Sequence, residues 1–161
     1  MHFLNLWLHV VGFALYLGST VTILLGFLPM LRAIVDPAEK RRLFSRVMRV
    51  YNPLSLAAIG VALMTGAFNL TDYKAALGSS FYGEIGTVLL WKLLFVFLLI
   101  LLATGLSFGI AHRTVREELL EEPVDGKELE ARLRRLTPML WMATVLACIV
   151  IWLGLLLPRS H

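Results

Sequence analysis

Charged residues and cysteine are scarce in this chain, and their scarcity excludes several classes of protein. Asp, Glu, Lys and Arg make up 16% of the 161 residues, whereas soluble domains average about 25%. Cys148 is the single cysteine, so no disulfide can form within the chain. The sequence has no Cys-x-x-Cys pair, no glycine-rich phosphate loop and no histidine pair at i, i+4. It therefore lacks the usual motifs of thiol redox proteins, nucleotide-binding domains and zinc proteases.

Hydrophobic residues supply 58% of the chain and are concentrated in four long runs. A helix needs about 20 apolar residues to cross the hydrocarbon core of a bilayer. Within lipid all backbone polar groups must bond inside the segment, which favours helices over strands. A soluble bundle, the alternative, would need a polar face at helical spacing, and the runs have none. The sequence predicts an all-α integral membrane four-helix bundle in one domain, 1–161, with spans at about 3–31, 53–70, 85–111 and 137–157.

Basic residues are divided unevenly among the connections between these runs. Six lie in 32–52 and six in 112–136, against Lys74 in the remaining connection and Arg159 in the tail. By the positive-inside rule, both basic segments face the cytoplasm and both termini lie on the outer, periplasmic side of a bacterial inner membrane. The first run lacks a basic n-region and is long for a signal peptide, so we expect an uncleaved span. The basic residues do not interleave with aromatic ones, so no nucleic-acid partner is expected.

Three X-Pro dipeptides indicate helix starts in or beside the basic segments. Asp36-Pro37 predicts a capped, short, basic amphipathic helix over 37–51, suited to an anionic membrane surface. Asn52-Pro53 and Thr137-Pro138 predict separate starts for the second and fourth spans. A turn at 123–126 is expected to join two charged helices into a hairpin with ion pairs across it.

Two polar residues within the spans are the best indicators of function, because a polar group in lipid is costly to retain. His9 and Lys92 each lie six or seven residues into a span from the outer side, and so at similar depth. A neutral imidazole can bind haem iron or copper, and an ammonium can meet a propionate or the carboxylates of Asp72 or Glu84. Alternatively, His9 only bonds a neighbouring helix, and Lys92 snorkels to the interface beside Trp91.

Other residues of the first span extend this candidate site. His2 lies seven residues before His9 on the same helical face and could add a metal ligand at the outer surface. Tyr16 follows as a candidate cofactor contact, and Gly12 and Gly18 would allow close helix packing or room for a flat cofactor. The spans contain no Asp or Glu, so no acid–base pair can be named and the chain is not expected to be an enzyme by itself.

The segment Leu8–Gly18 resembles the Leu-His-x-x-Gly-x-x-x-Trp-x-Gly opening of the copper-resistance protein D (CopD) family, and HemJ-type protoporphyrinogen oxidases begin similarly. The resemblance continues through Arg49–Pro53 and Trp91–Leu94. It implies a CopD-like membrane protein that binds or passes copper at an outer-half site around His9 and Lys92. Similarity to the HemJ type implies a haem b protein in electron transfer or porphyrin chemistry.

This chain departs from those patterns at several positions. Tyr16 replaces the usual Trp, and Leu90, Leu102 and Ala103 stand where HemJ-type proteins carry His or Tyr-His. Of the membrane histidines in these groups, only His9 is present.

The sequence leaves copper, haem b and no cofactor as alternatives. Copper is the first expectation, with His9 and His2 as metal ligands. For copper and for haem b alike, the expected cofactor-binding residues are His9, Lys92 and Tyr16. The third alternative is a non-catalytic accessory subunit. The expected partners are the lipid bilayer, a homo-oligomer or larger membrane complex, and a periplasmic copper or redox partner.

Overall fold

The computed structural model describes residues 2–121, 123 and 125–156, with their side chains except those of His2, Asp72, Tyr73, Ala76 and Glu84. The regular elements within these residues are all helical, which confirms the predicted all-α class. Residue 157, the last of the predicted fourth span, lies outside the described residues.

The described helices form four antiparallel rods, where a rod is one uninterrupted helical stretch. Rod 1 consists of α1 (His2–Val21), a π-helical segment π1 (Thr22–Phe27) and α2 (Leu28–Ala33). Rod 2 is α3 (Pro37–Leu77), and a 3-10 turn (Gly78–Ser80) follows it. Rod 3 consists of α4 (Phe81–Thr104), a second π-helical segment π2 (Gly105–His112) and α5 (Arg113–Leu119). Rod 4 is α6 (Gly126–Leu155).

Each rod is long and apolar enough to cross a membrane. The candidate spans are Phe3–Ala33, Pro37–Thr71, Ile85–Leu119 and Gly126–Leu155. Large apolar side chains also cover the outside of the rods; Phe97 is 56% exposed and Trp152 is 64% exposed. A surface of this kind is stable against acyl chains and unfavourable in water. The chain is therefore a multi-pass membrane protein whose rods contact lipid.

Rod 2 passes through Pro53 without a break, so the prediction of a surface helix over 37–51 and a new helix at Asn52-Pro53 is wrong. A proline inside a helix costs about 3 kcal/mol, because it removes a backbone hydrogen bond and crowds the preceding turn. The compensation is burial along one continuous face of α3. The residues buried on that face include Phe44, Met48, Tyr51, Ser55, Ala58, Ala62 and Thr65. Burying one large apolar side chain is worth about 1.5–3 kcal/mol, so packing outweighs the proline.

Rod 4 corrects the matching prediction for Thr137-Pro138. Here α6 begins at Gly126 and continues through Pro138, so this dipeptide does not start a helix. The cap is Asp125 instead, whose side chain accepts hydrogen bonds from the backbone N–H groups of Lys127 and Glu128. A buried stripe again crosses the proline, and it comprises Leu129, Leu133, Leu136, Leu140, Ala143, Ala147 and Val150.

The long rods give the bundle two unlike ends. The terminal end contains the start of rod 1, the turn Gly78–Ser80 and the end of rod 4. The charged end contains the connections after α2 and after α5. The 41 residues of α3 extend about 60 Å, roughly twice the hydrocarbon thickness of a bilayer. The charged parts of the rods therefore project beyond the lipid.

An ion-pair cluster joins rods 3 and 4 at the charged end. The guanidinium of Arg132 binds both carboxylate oxygens of Glu117, at 2.5 and 2.7 Å, and Glu128 at 2.6 Å. It also donates to the hydroxyl of Thr114 at 3.2 Å. The pairing of Glu117 with Arg132 confirms the predicted charged hairpin.

Rod 2 is joined to the same hairpin by two further ion pairs. Lys40 binds Glu130, and Arg41 binds Glu118 at 2.7 Å. Arg41 and Lys40 are both buried. The basic residues at the start of rod 2 therefore serve in part to hold the bundle together.

Candidate ligand site at the terminal end

Rods 1 and 2 approach each other closely because glycine faces the backbone of the opposite helix. A Cβ atom at Gly12 would lie 3.0 Å from the carbonyl oxygen of Ala58 and 3.2 Å from the backbone nitrogen of Ala62. No larger residue would allow this separation without a shift of one helix. The close approach brings the His9 ring within hydrogen-bond distance of the α3 backbone.

The His9 ring is held by one of its two nitrogens. Its Nδ1 atom lies 2.8 Å from the carbonyl oxygen of Ala62 and 3.0 Å from the hydroxyl oxygen of Thr65. The Thr65 hydroxyl itself donates to the carbonyl of Val61 at 2.6 Å. Both oxygens facing Nδ1 are therefore acceptors, so Nδ1 carries the proton.

This arrangement fixes the chemistry of the other nitrogen. In a neutral imidazole with its proton on Nδ1, Nε2 has a free lone pair. No described residue forms a hydrogen bond with Nε2 of His9. A metal-bound histidine usually donates its other N–H to a carbonyl or carboxylate in this way, which fixes its tautomer and ring orientation.

Two neighbours restrict the rotation of the His9 ring. Phe13 packs edge-on against it, with ring centroids 5.3 Å apart. On the α3 side, a Cβ atom at Gly66 would lie 3.2 Å from Cε1 of His9. The ring is therefore oriented by contacts on both helices before any ligand arrives.

Lys92 lies on rod 3 and extends its side chain to rod 4. Its Nζ atom lies 3.3 Å from the position that a Cβ atom of Gly154 would occupy. The residue is partly buried and forms no hydrogen bond or ion pair with any described residue. Lys92 and His9 both lie towards the terminal end, on different rods. The predicted partners Asp72 and Glu84 have side chains outside the described residues.

Sequence reasoning missed an asparagine pair beside His9. The Asn5 amide donates to the side-chain oxygen of Asn69 at 2.6 Å and to the carbonyl of Thr65 at 3.1 Å. Asn5 and His9 are four residues apart on rod 1, as are Thr65 and Asn69 on rod 2. Two polar pairs at i, i+4 on neighbouring spans were a usable signal, because such residues share a helix face.

Tyr16, the other predicted site residue with a described side chain, does not lie beside His9. Tyr16 is 2% exposed and packs with Ala143 and Ala147 in a core two turns further from the terminal end. The side chain of His2 lies outside the described residues. Among the described side chains, no group of three or more His, Cys, Asp or Glu residues could hold a metal ion.

An apolar groove lies elsewhere, between rods 3 and 4. It has a volume of about 630 Å³ and is lined by apolar side chains such as Leu98, Trp141 and Met142. It contains neither His9 nor Lys92, and its lining offers no charged side chain. It therefore does not contribute to the candidate site.

Comparisons with protein-family models, with curated proteins and with solved structures found no match. The CopD-like and HemJ-like resemblance therefore stays a prediction that depends on the residues quoted for it. What the structure adds is the orientation of the His9 imidazole, which has a free nitrogen, and the position of Lys92 on rod 3, where it has no described partner.

Proposed function

We propose that this chain is an inner-membrane protein that binds haem b near its terminal end, with His9 as the iron ligand. The observation that supports this proposal is the hydrogen bond from Nδ1 of His9 to the carbonyl of Ala62. It leaves Nε2 free and holds the ring in one orientation, as is usual for a histidine that binds a metal, so His9 could hold haem iron.

Lys92 favours a ligand that brings its own negative charge. Lys92 forms no ion pair with any described side chain. An unpaired ammonium in or near lipid is costly, and a haem propionate would compensate its charge. A bare copper ion would instead meet one imidazole and one positive charge among the described side chains. These side chains do not complete a copper site, so the copper function implied by the CopD-like resemblance depends on His2 as a second ligand.

The described residues have distinct roles in this proposal. Ala62 and Thr65 hold the proton of His9 on Nδ1, and Gly66 leaves space beside Cε1 of the ring. Lys92 binds an acidic substituent of the ligand. Bound haem would supply one-electron redox chemistry, with a potential set by the side chain that binds the iron and by its surroundings.

The proposed orientation places this site in the outer half of the membrane. Twelve basic residues lie in 32–52 and 112–136, and the positive-inside rule places such segments in the cytoplasm. The terminal end would then face the periplasm. A periplasmic redox partner, or a larger membrane complex, would have access to a ligand at His9.

Absorption spectroscopy tests the ligand directly. The protein is expressed with a haem precursor, purified in mild detergent, and analysed for a Soret band and for iron and copper content. We expect a Soret band with iron near one per chain, lost in His9→Ala and retained in His112→Ala. His112 is a matched control because it is an exposed histidine towards the charged end.

Other outcomes of this experiment decide between the alternatives. Copper without a Soret band, also lost in His9→Ala, would replace haem with the copper function. Protein without iron or copper that co-purifies with other subunits would refute ligand binding and favour the accessory role. Lys92→Gln should weaken haem retention, whereas the exposed control Lys74→Gln should not.

A further inference from the structure

A second polar feature lies inside the bundle, away from His9 and towards the charged end. A small cavity of about 10 Å³ lies between rods 1, 2 and 3 and one side of rod 4. Its walls are largely apolar. Its polar lining residues are Tyr16, Tyr51, Asn52, Ser55 and Ser107.

Ser107 is the unusual member of this lining. It is 3% exposed, and its hydroxyl has no hydrogen-bond partner among the described residues. Hydroxyl side chains in membrane helices commonly donate to the carbonyl four residues earlier. Thr20, Thr114 and Thr144 all do so in this chain. Ser107 lies in π2, where the helix has a different hydrogen-bond pattern, and it forms no such bond.

The opposite wall of the cavity also has unused hydrogen-bonding capacity. The Asn52 side chain has no hydrogen-bond partner among the described residues. Ser55 donates its hydroxyl proton to the carbonyl of Asn52 at 3.0 Å, so its oxygen still has lone pairs to accept with. Tyr51 lies beside these groups, with its hydroxyl 3.3 Å from that of Thr20.

We propose that one water molecule occupies this cavity and joins Ser107 on rod 3 to the polar groups of rod 2. A buried water needs about 10–15 Å³ of such space and two to four polar partners, and this cavity offers both. Its volume is that of a single water molecule. The water would connect the π-helical turn that contains Ser107 to the turn of α3 that contains Pro53, and so link the irregular parts of two rods.

The sign of a stability change tests this proposal. If a water binds Ser107, then Ser107→Ala removes one of its partners and lowers the melting temperature of the detergent-solubilised protein. If the cavity is dry, the same change removes an unpaired buried hydroxyl and raises the melting temperature. A rise would overturn the proposal.

Ser45→Ala is the matched control. Ser45 is fully buried and its hydroxyl is also unpaired among the described residues, but it does not line the cavity. We expect its melting temperature to stay the same or rise. A fall as large as that of Ser107→Ala would show that the effect does not come from the cavity, and would count against the water.

A double-variant comparison gives an independent readout. No hydrogen bond joins Asn52 and Ser107 directly, and a water that bridges them would couple the effects of their substitutions. We expect Asn52→Ala and Ser107→Ala together to lower the melting temperature by less than the sum of the two single changes. Additive changes would overturn the proposal. Since the cavity is separate from His9, haem retention should not change in any of these variants.

Discussion

Replacing Arg132 is the sharpest test of what holds the charged end of the bundle together. Its side chain is 11% exposed, and it binds Glu117, 21% exposed, and Glu128, 46% exposed. Arg132→Met keeps a long side chain and removes the charge. It leaves Glu117 with one remaining ion pair, to Arg113 at 3.2 Å, whose side chain is 62% exposed.

The expected loss of stability follows from this burial. Removing one partner of a fully buried ion pair costs about 3–5 kcal/mol. Here solvent screens the half-exposed Glu128 and the other partners in part, so we expect about 2–3 kcal/mol. For a chain of this length, that loss corresponds to a fall in melting temperature of roughly 5–10 °C, measured by circular dichroism in mild detergent.

Matched variants separate this cause from others. Arg134→Met removes an exposed arginine two residues away and should change stability by less than about 0.5 kcal/mol. Arg132→Lys should be intermediate, because an ammonium cannot bind two carboxylates in a fork. Arg132→Met with Glu117→Met should recover part of the loss, since no charge is then left unpaired. Equal melting temperatures for Arg132→Met and Arg134→Met would refute the reasoning.

Three further predictions concern rod packing, the ligand site and orientation. Gly12→Ala should destabilise the protein by about 1–3 kcal/mol in thermal unfolding, because the added Cβ atom meets backbone atoms of α3. The control Gly18→Ala should be neutral or stabilising, because the space around Gly18 is open. Gly66→Ala should lower the retained Soret absorbance by displacing the His9 ring, and unchanged absorbance would contradict the proposed ring position. A topology reporter fused after residue 161 should report the periplasm, and a cytoplasmic signal would reverse the proposed orientation.

The sequence alone was sufficient for the number and approximate position of the spans. A membrane span must be a long apolar segment with few charged residues, and both properties can be read from the sequence without knowing any contact. Local signals were also reliable where the partner lies within one turn. The cap at Asp36, which accepts from the backbone N–H groups of Ala38 and Glu39, is an example.

Local signals failed where distant packing competed with them. Asn52-Pro53 and Thr137-Pro138 have the composition of helix starts, yet both prolines lie inside long helices. The buried stripes that cross these prolines contact other rods, and their contribution to stability depends on neighbours far away in sequence. The separate starts predicted for the second and fourth spans were therefore wrong.

The sequence alone singled out His9 and Lys92 as costly polar groups in the spans, although it missed the pair of Asn5 and Asn69. Only the tertiary structure decided that Nδ1 of His9 faces the Ala62 carbonyl, that Lys92 reaches Gly154, and that Ser107 faces a cavity. The physical reason is that a membrane helix is apolar on its lipid side and on its packed side alike. Hydropathy therefore sets the depth of a residue in the bilayer, while the rotation of each helix, and with it every contact between rods, is set by packing.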